Sequence, residues 1–61
     1  MGKRKKITAA IDVLKAAISK DRCAMVVVEK RFGREVDGTV ERKLQGLAEL
    51  ALDILCGEQP I

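Results

Sequence analysis

Histidine, tryptophan and tyrosine are missing from this chain of 61 residues, and phenylalanine and proline occur once each. Nucleophilic catalysis usually needs a base beside the nucleophile, and no imidazole is present to serve as one. The two cysteines, Cys23 and Cys56, have no CxxC spacing, so the usual zinc-site patterns are also missing. The sequence therefore predicts a protein that is not an enzyme and that uses no metal and no cofactor.

Long apolar runs are missing as well. No uninterrupted run of about 18 apolar residues occurs, and the basic start leads into a segment interrupted by Asp12 and Lys15, unlike a signal peptide. The neighbours of both cysteines are mostly Ala, Met, Val and Leu, which predicts buried, unpaired thiols. We therefore expect a cytoplasmic protein in a reducing environment, with no membrane association.

Charge is unevenly distributed along the chain. Twelve Lys and Arg against nine Asp and Glu give a net charge of +3, and residues 3–6 supply four of the twelve cations. The remainder is close to neutral. We interpret the chain as one small domain over residues 1–61, with a basic tail at 1–6 and a short C-terminal tail at 57–61.

Apolar spacing predicts an all-α fold. Residues 7–32 contain no glycine or proline, and large apolar residues recur there at intervals of three and four, which predicts a long helix over about 6–32. Asp21 interrupts this stripe. Three successive valines leave a strand at 24–31 as an alternative, but the chain offers no matching strand to pair with it. The stripe consists of Ile7, Ile11, Leu14, Ile18, Met25, Val28 and Phe32.

A second helix is predicted over about 38–56. Gly33 is placed to end the first helix, Asp37 or Thr39 to cap the second, and Gly57 to end it. Gly46 is unfavourable inside a helix, so we expect a close helix crossing there, opposite residues 23–24 of an antiparallel hairpin.

The hairpin has apolar residues on two sides of its first helix, more than two helices can bury against each other. Because a 61-residue domain also buries little surface by itself, we predict a homodimer in the form of a four-helix bundle. The predicted oligomer interface consists of Ile11, Leu14, Ile18, Met25, Val28, Leu44 and Leu47.

The charged stretch "KRFGREVDGTVERKL" suggests binding to nucleic acid through phosphate contacts. An alternative fold is a three-helix domain with a helix-turn-helix, in which Arg42, Lys43 and Gln45 read bases. Two other functions stay open: inhibition of another protein, and sequestration of a small anionic ligand such as a nucleotide. The acidic residues of the same stretch also allow a merely salt-bridged corner. The predicted binding residues are Arg22, Lys30, Arg31, Arg34, Arg42 and Lys43.

Overall fold

The computed structural model of the chain describes residues 2–61. Across that range the chain forms three α-helices and no strand: α1 (Gly2–Ser19), α2 (Arg22–Phe32) and α3 (Val40–Cys56). The all-α prediction is confirmed. The strand alternative for residues 24–31 is wrong, because all of them lie within α2.

The predicted long helix over about 6–32 is in fact two helices, separated at Lys20 and Asp21. Lys20 has a left-handed backbone, with φ of 55°. The Asp21 carboxylate accepts a hydrogen bond from the backbone N–H of Cys23 at 2.9 Å and so caps the start of α2. Ser19 donates its hydroxyl to the carbonyl of Ala16 at 2.7 Å. Short polar side chains that bond the nearby backbone compete with helix continuation, which explains the break.

The helices are arranged with α1 antiparallel to both others. The end of α1 leads into α2, whose Arg31 returns to Asp12 of α1. Arg22, at the start of α2, bonds the carbonyl of Gly38 just before α3, and Lys6 lies beside Gly57 at the end of α3. α2 and α3 therefore run in the same direction, and the antiparallel pair is α1 with α3.

The core uses the small residues of α1. Of the two apolar lines on this helix, the alanine-rich one is buried, because small side chains let α3 approach closely. The four residues of the apolar stripe that lie on α1 all stay exposed, on another side of the helix. The buried hydrophobic residues are Ala9, Ala10, Val13, Ala16, Ala17, Met25, Leu47, Leu50, Ala51 and Ile54.

Residues 33–39 form a strap that runs back along α3. Gly33 ends α2 with φ of 68°, and Thr39 accepts a hydrogen bond from the N–H of Arg42 at 3.2 Å, as the sequence predicted for both caps. A Cβ on Gly46 would stand 2.8 Å from Cγ2 of Val36, so the strap, and not residues 23–24, makes the close approach. Seven residues in this connection also exceed the three or four of a compact helix-turn-helix.

Candidate nucleic-acid interface

An open groove of about 390 Å³ lies between the first turns of α1 and the last turn of α2. Three cations line it: Arg4 and Lys5 from α1, and Arg31 from α2. The antiparallel course of α1 and α2 brings these residues together, although they are far apart in sequence. The other lining residues are Thr8, Ala9, Asp12 and Ile61. We call this surface the basic groove.

The helical start of α1 positions two of these cations. Residues 3–6, predicted as a tail before the first helix, lie within α1, which begins at Gly2. Their placement is unfavourable for the helix itself, since the N-terminal end of a helix dipole is positive and the first turn of α1 has no acidic residue. Arg4 and Lys5 are both exposed. The groove is therefore a concentration of positive charge that lacks an acidic partner in this turn.

Arg31 is held in place from two sides. Its guanidinium lies 3.6 Å from the Asp12 carboxylate and 5.2 Å from the centre of the Phe32 ring. Both side chains of the ion pair are about half exposed, so solvent screens the pair and it contributes little energy. Arg31 therefore remains accessible to a second anion, while Asp12 reduces the net charge of the groove.

The six predicted binding residues separate into three groups. Lys30 and Arg31 lie in the last turn of α2, and of these two Arg31 lines the basic groove. Arg22 and Arg42 are at the other end of the molecule, on either side of Gly38. Arg34 and Lys43 are engaged in ion pairs with acidic residues of the same chain.

The two ion-paired cations hold the strap and the helices together. Arg34 bonds the carboxylate of Asp53 on α3. Lys43 is 6% exposed, and its ammonium donates to Oε1 of Glu29 at 2.7 Å and to the carbonyl of Val36 at 2.6 Å. Glu29, 1% exposed, carries an Oε2 without a hydrogen-bond partner among the described residues. Lys43 therefore has no free donor face to present to a phosphate or a base.

The base-reading candidates of the helix-turn-helix alternative are also divided. Arg42 and Gln45 line a second cavity of about 330 Å³, together with Val36, Gly46 and Glu49. Glu49 places negative charge there, which opposes the approach of a phosphate. Lys43 is instead buried against Glu29 of α2, so the three candidates do not form one surface.

The residues predicted for the oligomer interface divide between the inside and the outside. Met25 and Leu47 are buried in the core of the chain itself, and Val28 and Leu44 are half-buried against that core. Three of the seven remain exposed: Ile11, Leu14 and Ile18.

The two cysteines also differ from expectation. Cys23 and Cys56 are both free and exposed, not buried, because each lies on the solvent side of its helix.

Sequence reasoning missed Arg4, Lys5 and Thr8 as site residues. The basic run at 3–6 was visible, but its placement beside Arg31 depends on the turn at Lys20 and Asp21. Across residues 2–61, no helix is both long and apolar enough to cross a membrane. Comparisons with protein-family models, with curated proteins and with solved structures find no match to this chain.

Proposed function

We propose that the protein is a small regulatory protein without enzymatic activity that binds nucleic acid through the basic groove. The observation that carries this proposal is the meeting of Arg4, Lys5 and Arg31 in one groove. Arginine and lysine are the main phosphate ligands of nucleic-acid-binding proteins, and a groove with several of them can follow a backbone of regularly spaced phosphates.

The electrostatics of α1 favour an anionic ligand at this place. Cations near a helix N-terminus are each unfavourable by about 0.3–1 kcal/mol, whereas an anion there is stabilised by the dipole. A bound phosphate would offset the repulsion among Arg4, Lys5 and the helix terminus. The ligand would therefore stabilise the part of the fold that it contacts, which links binding to the order of α1.

The test is the affinity for a generic DNA duplex, measured by fluorescence anisotropy over a series of salt concentrations. The double variant Arg4→Gln/Lys5→Gln should bind more weakly, and the slope of log K against log salt should flatten by about 0.9 for each phosphate that the variant no longer neutralises. Both side chains are exposed, and their positive charges interact unfavourably with the helix dipole. The variant should therefore keep its helicity.

The matched control is Arg42→Gln, an exposed arginine at the other end of the molecule. It should leave affinity and salt slope unchanged. Undetectable binding of the wild-type protein at low salt would contradict the proposal. Loss of binding in Arg42→Gln alone would place the interface at the strap and α3 instead, as in the helix-turn-helix alternative.

A small anion such as a nucleotide is the alternative ligand for the same groove, since a single phosphate also fits a helix N-terminus beside an arginine. Competition separates the two: a mononucleotide that displaces the duplex at micromolar concentration would favour sequestration of a small ligand. Displacement only by longer strands would favour nucleic acid.

Inhibition of another protein is a second candidate function, favoured by one apolar residue away from α1. Val27 on α2 is 66% exposed, although it is followed by two residues that pack inward. If Val27 belongs to a surface that docks on a protein target, Val27→Asp should remove inhibition and leave DNA binding unchanged.

We further propose that the active particle is the predicted homodimer, now with α1 and α3 of each copy as the four helices of the bundle. The accessible surface of the chain is 4390 Å², whereas a compact monomer of this mass exposes about 3,900 Å². The excess is consistent with a surface that association covers.

A further inference from the structure

A line of exposed apolar residues lies on the side of α1 away from α2. Ile7, Ile11, Leu14 and Ile18 are spaced by four and three residues, so they form one line along the helix. All are exposed, and Ile18 reaches 78%. Asp12, which contacts α2, is roughly on the other side of the helix.

The same surface continues onto α3. Leu52 and Leu55 are exposed at 61% and 48%, and both lie on the flank of α3 that is away from the strap and next to α1. Helical spacing places Ala48, also exposed, between them and the half-buried Leu44. We call this combined surface of α1 and α3 the apolar face; its members are Ile7, Ile11, Leu14, Ile18, Ala48, Leu52 and Leu55.

The area of the apolar face suits a second copy of this chain. Its six large side chains are between 41% and 78% exposed. Together they present on the order of 500 Å² of apolar surface, which is near the upper size of patches on monomers. A standard interface buries about 800 Å² on each partner, including a polar rim. The apolar face with its flanking charged residues approaches that value.

We infer that two copies pair through the apolar face with α1 of one protomer packed on α3 of its partner, and that Lys15 pairs with the partner's Glu49. This inference rests on the proposed dimer and adds its surface, its symmetry and an ion pair.

The charges at the two edges of the apolar face select this arrangement. Lys15 lies along the outer edge of α1, and Glu49 lies along the outer edge of α3. A twofold axis parallel to the helices places α1 on the partner's α3. An axis perpendicular to the helices places α1 on the partner's α1 and α3 on the partner's α3. The first arrangement brings opposite charges together at both edges, whereas the second brings charges of the same sign together.

The register of the ion pair follows from the antiparallel helices. Lys6 lies beside Gly57, and both helices rise about 1.5 Å per residue. Lys15 is therefore at the height of residue 48, next to Glu49. An axis parallel to the helices keeps that height, so Lys15 meets the partner's Glu49, and symmetry makes the pair twice.

A charge-reversal cycle measured by sedimentation equilibrium tests the inference. Lys15→Glu and Glu49→Lys should each weaken dimerisation by at least about tenfold, because each places like charges together twice. The double variant Lys15→Glu/Glu49→Lys should recover most of the wild-type affinity. Glu35→Lys, a charge change on the exposed strap, is the control and should have no effect. Lys15, Glu49 and Glu35 are all exposed, so circular dichroism should show native helicity in every variant.

Each outcome has one meaning. Weakening by both single variants with recovery in the double variant supports the ion pair and the arrangement of α1 on α3. A wild-type dimer with no recovery in the double variant overturns this arrangement but leaves the dimer standing. A wild-type protein that stays a single chain overturns both. DNA binding through the basic groove, on another side of α1, is judged separately by the salt series.

Discussion

At the scale of single residues, the ion pair of Glu29 and Lys43 shows how the role of a lysine can be predicted wrongly from sequence. Lys43 stands in a basic stretch and so was predicted to bind phosphate. Its actual partner is 14 residues away and on another helix, and no local pattern indicates that distance. Burial of the ammonium at 2.7 Å from a carboxylate makes Lys43 a structural residue. Arg4 and Lys5, which were visible as a run, line the groove instead.

We predict that Lys43→Ala destabilises the protein by about 3–5 kcal/mol, because it leaves the buried Glu29 carboxylate without its charge partner. The double variant Glu29→Leu/Lys43→Met should recover most of that stability, since no buried charge remains. Urea unfolding followed by circular dichroism, at one fixed protein concentration, measures both. Arg42→Ala is the exposed control, with an expected change within about 0.5 kcal/mol. Wild-type stability in Lys43→Ala would refute the structural role.

At the scale of helices, the ends with strong local signals could be predicted and the break could not. Gly33 and Gly57 both end helices with positive φ, and Thr39 caps α3, because each of these roles depends on neighbouring backbone. The turn at Lys20 and Asp21 has weaker signals. Lysine rarely adopts a left-handed backbone, and an apolar spacing that is interrupted once, at Asp21, is still typical of one continuous helix.

The strap gives Gly46 its role, which a pair of substitutions at 46 and 36 can test. Gly46→Ala alone should destabilise the protein, because the new Cβ would stand 2.8 Å from Cγ2 of Val36 and outweigh the gain of about 1 kcal/mol in helix propensity. In the Val36→Ala background the nearest strap atom would be Cβ, at 3.7 Å, an ordinary contact. There the same change should stabilise the protein.

Thermal unfolding of the four proteins of this cycle gives the coupling between the two positions. An equal effect of Gly46→Ala in both backgrounds would mean that the strap does not pack on α3 at this position.

At the scale of the whole molecule, the sequence indicated two apolar sides on the first helix but not which of them would be buried within the chain. The answer depends on how closely α3 approaches: the alanine line allows close packing, so the line of isoleucines and leucine is left outside. Prediction of an all-α fold needed only spacing. Prediction of the basic groove and the apolar face needed the path of the chain, which the turn at Lys20 and Asp21 decides.

Ile18→Asp is expected to separate association from folding. Ile18 is 78% exposed, so a carboxylate there meets water in the single chain but the partner in the dimer. Leu47→Asp is the contrasting variant. It puts a charge into the core of each chain and should abolish helicity, and association with it, because the apolar face exists only on the folded helices.

Sedimentation equilibrium of the wild-type protein beside Ile18→Asp, at micromolar concentrations, tests the central claim most directly. We expect a mass of about twice 6.7 kDa for the wild type, and a helical single chain of 6.7 kDa for the variant. A wild-type protein that remains at 6.7 kDa up to about 100 μM would contradict the account.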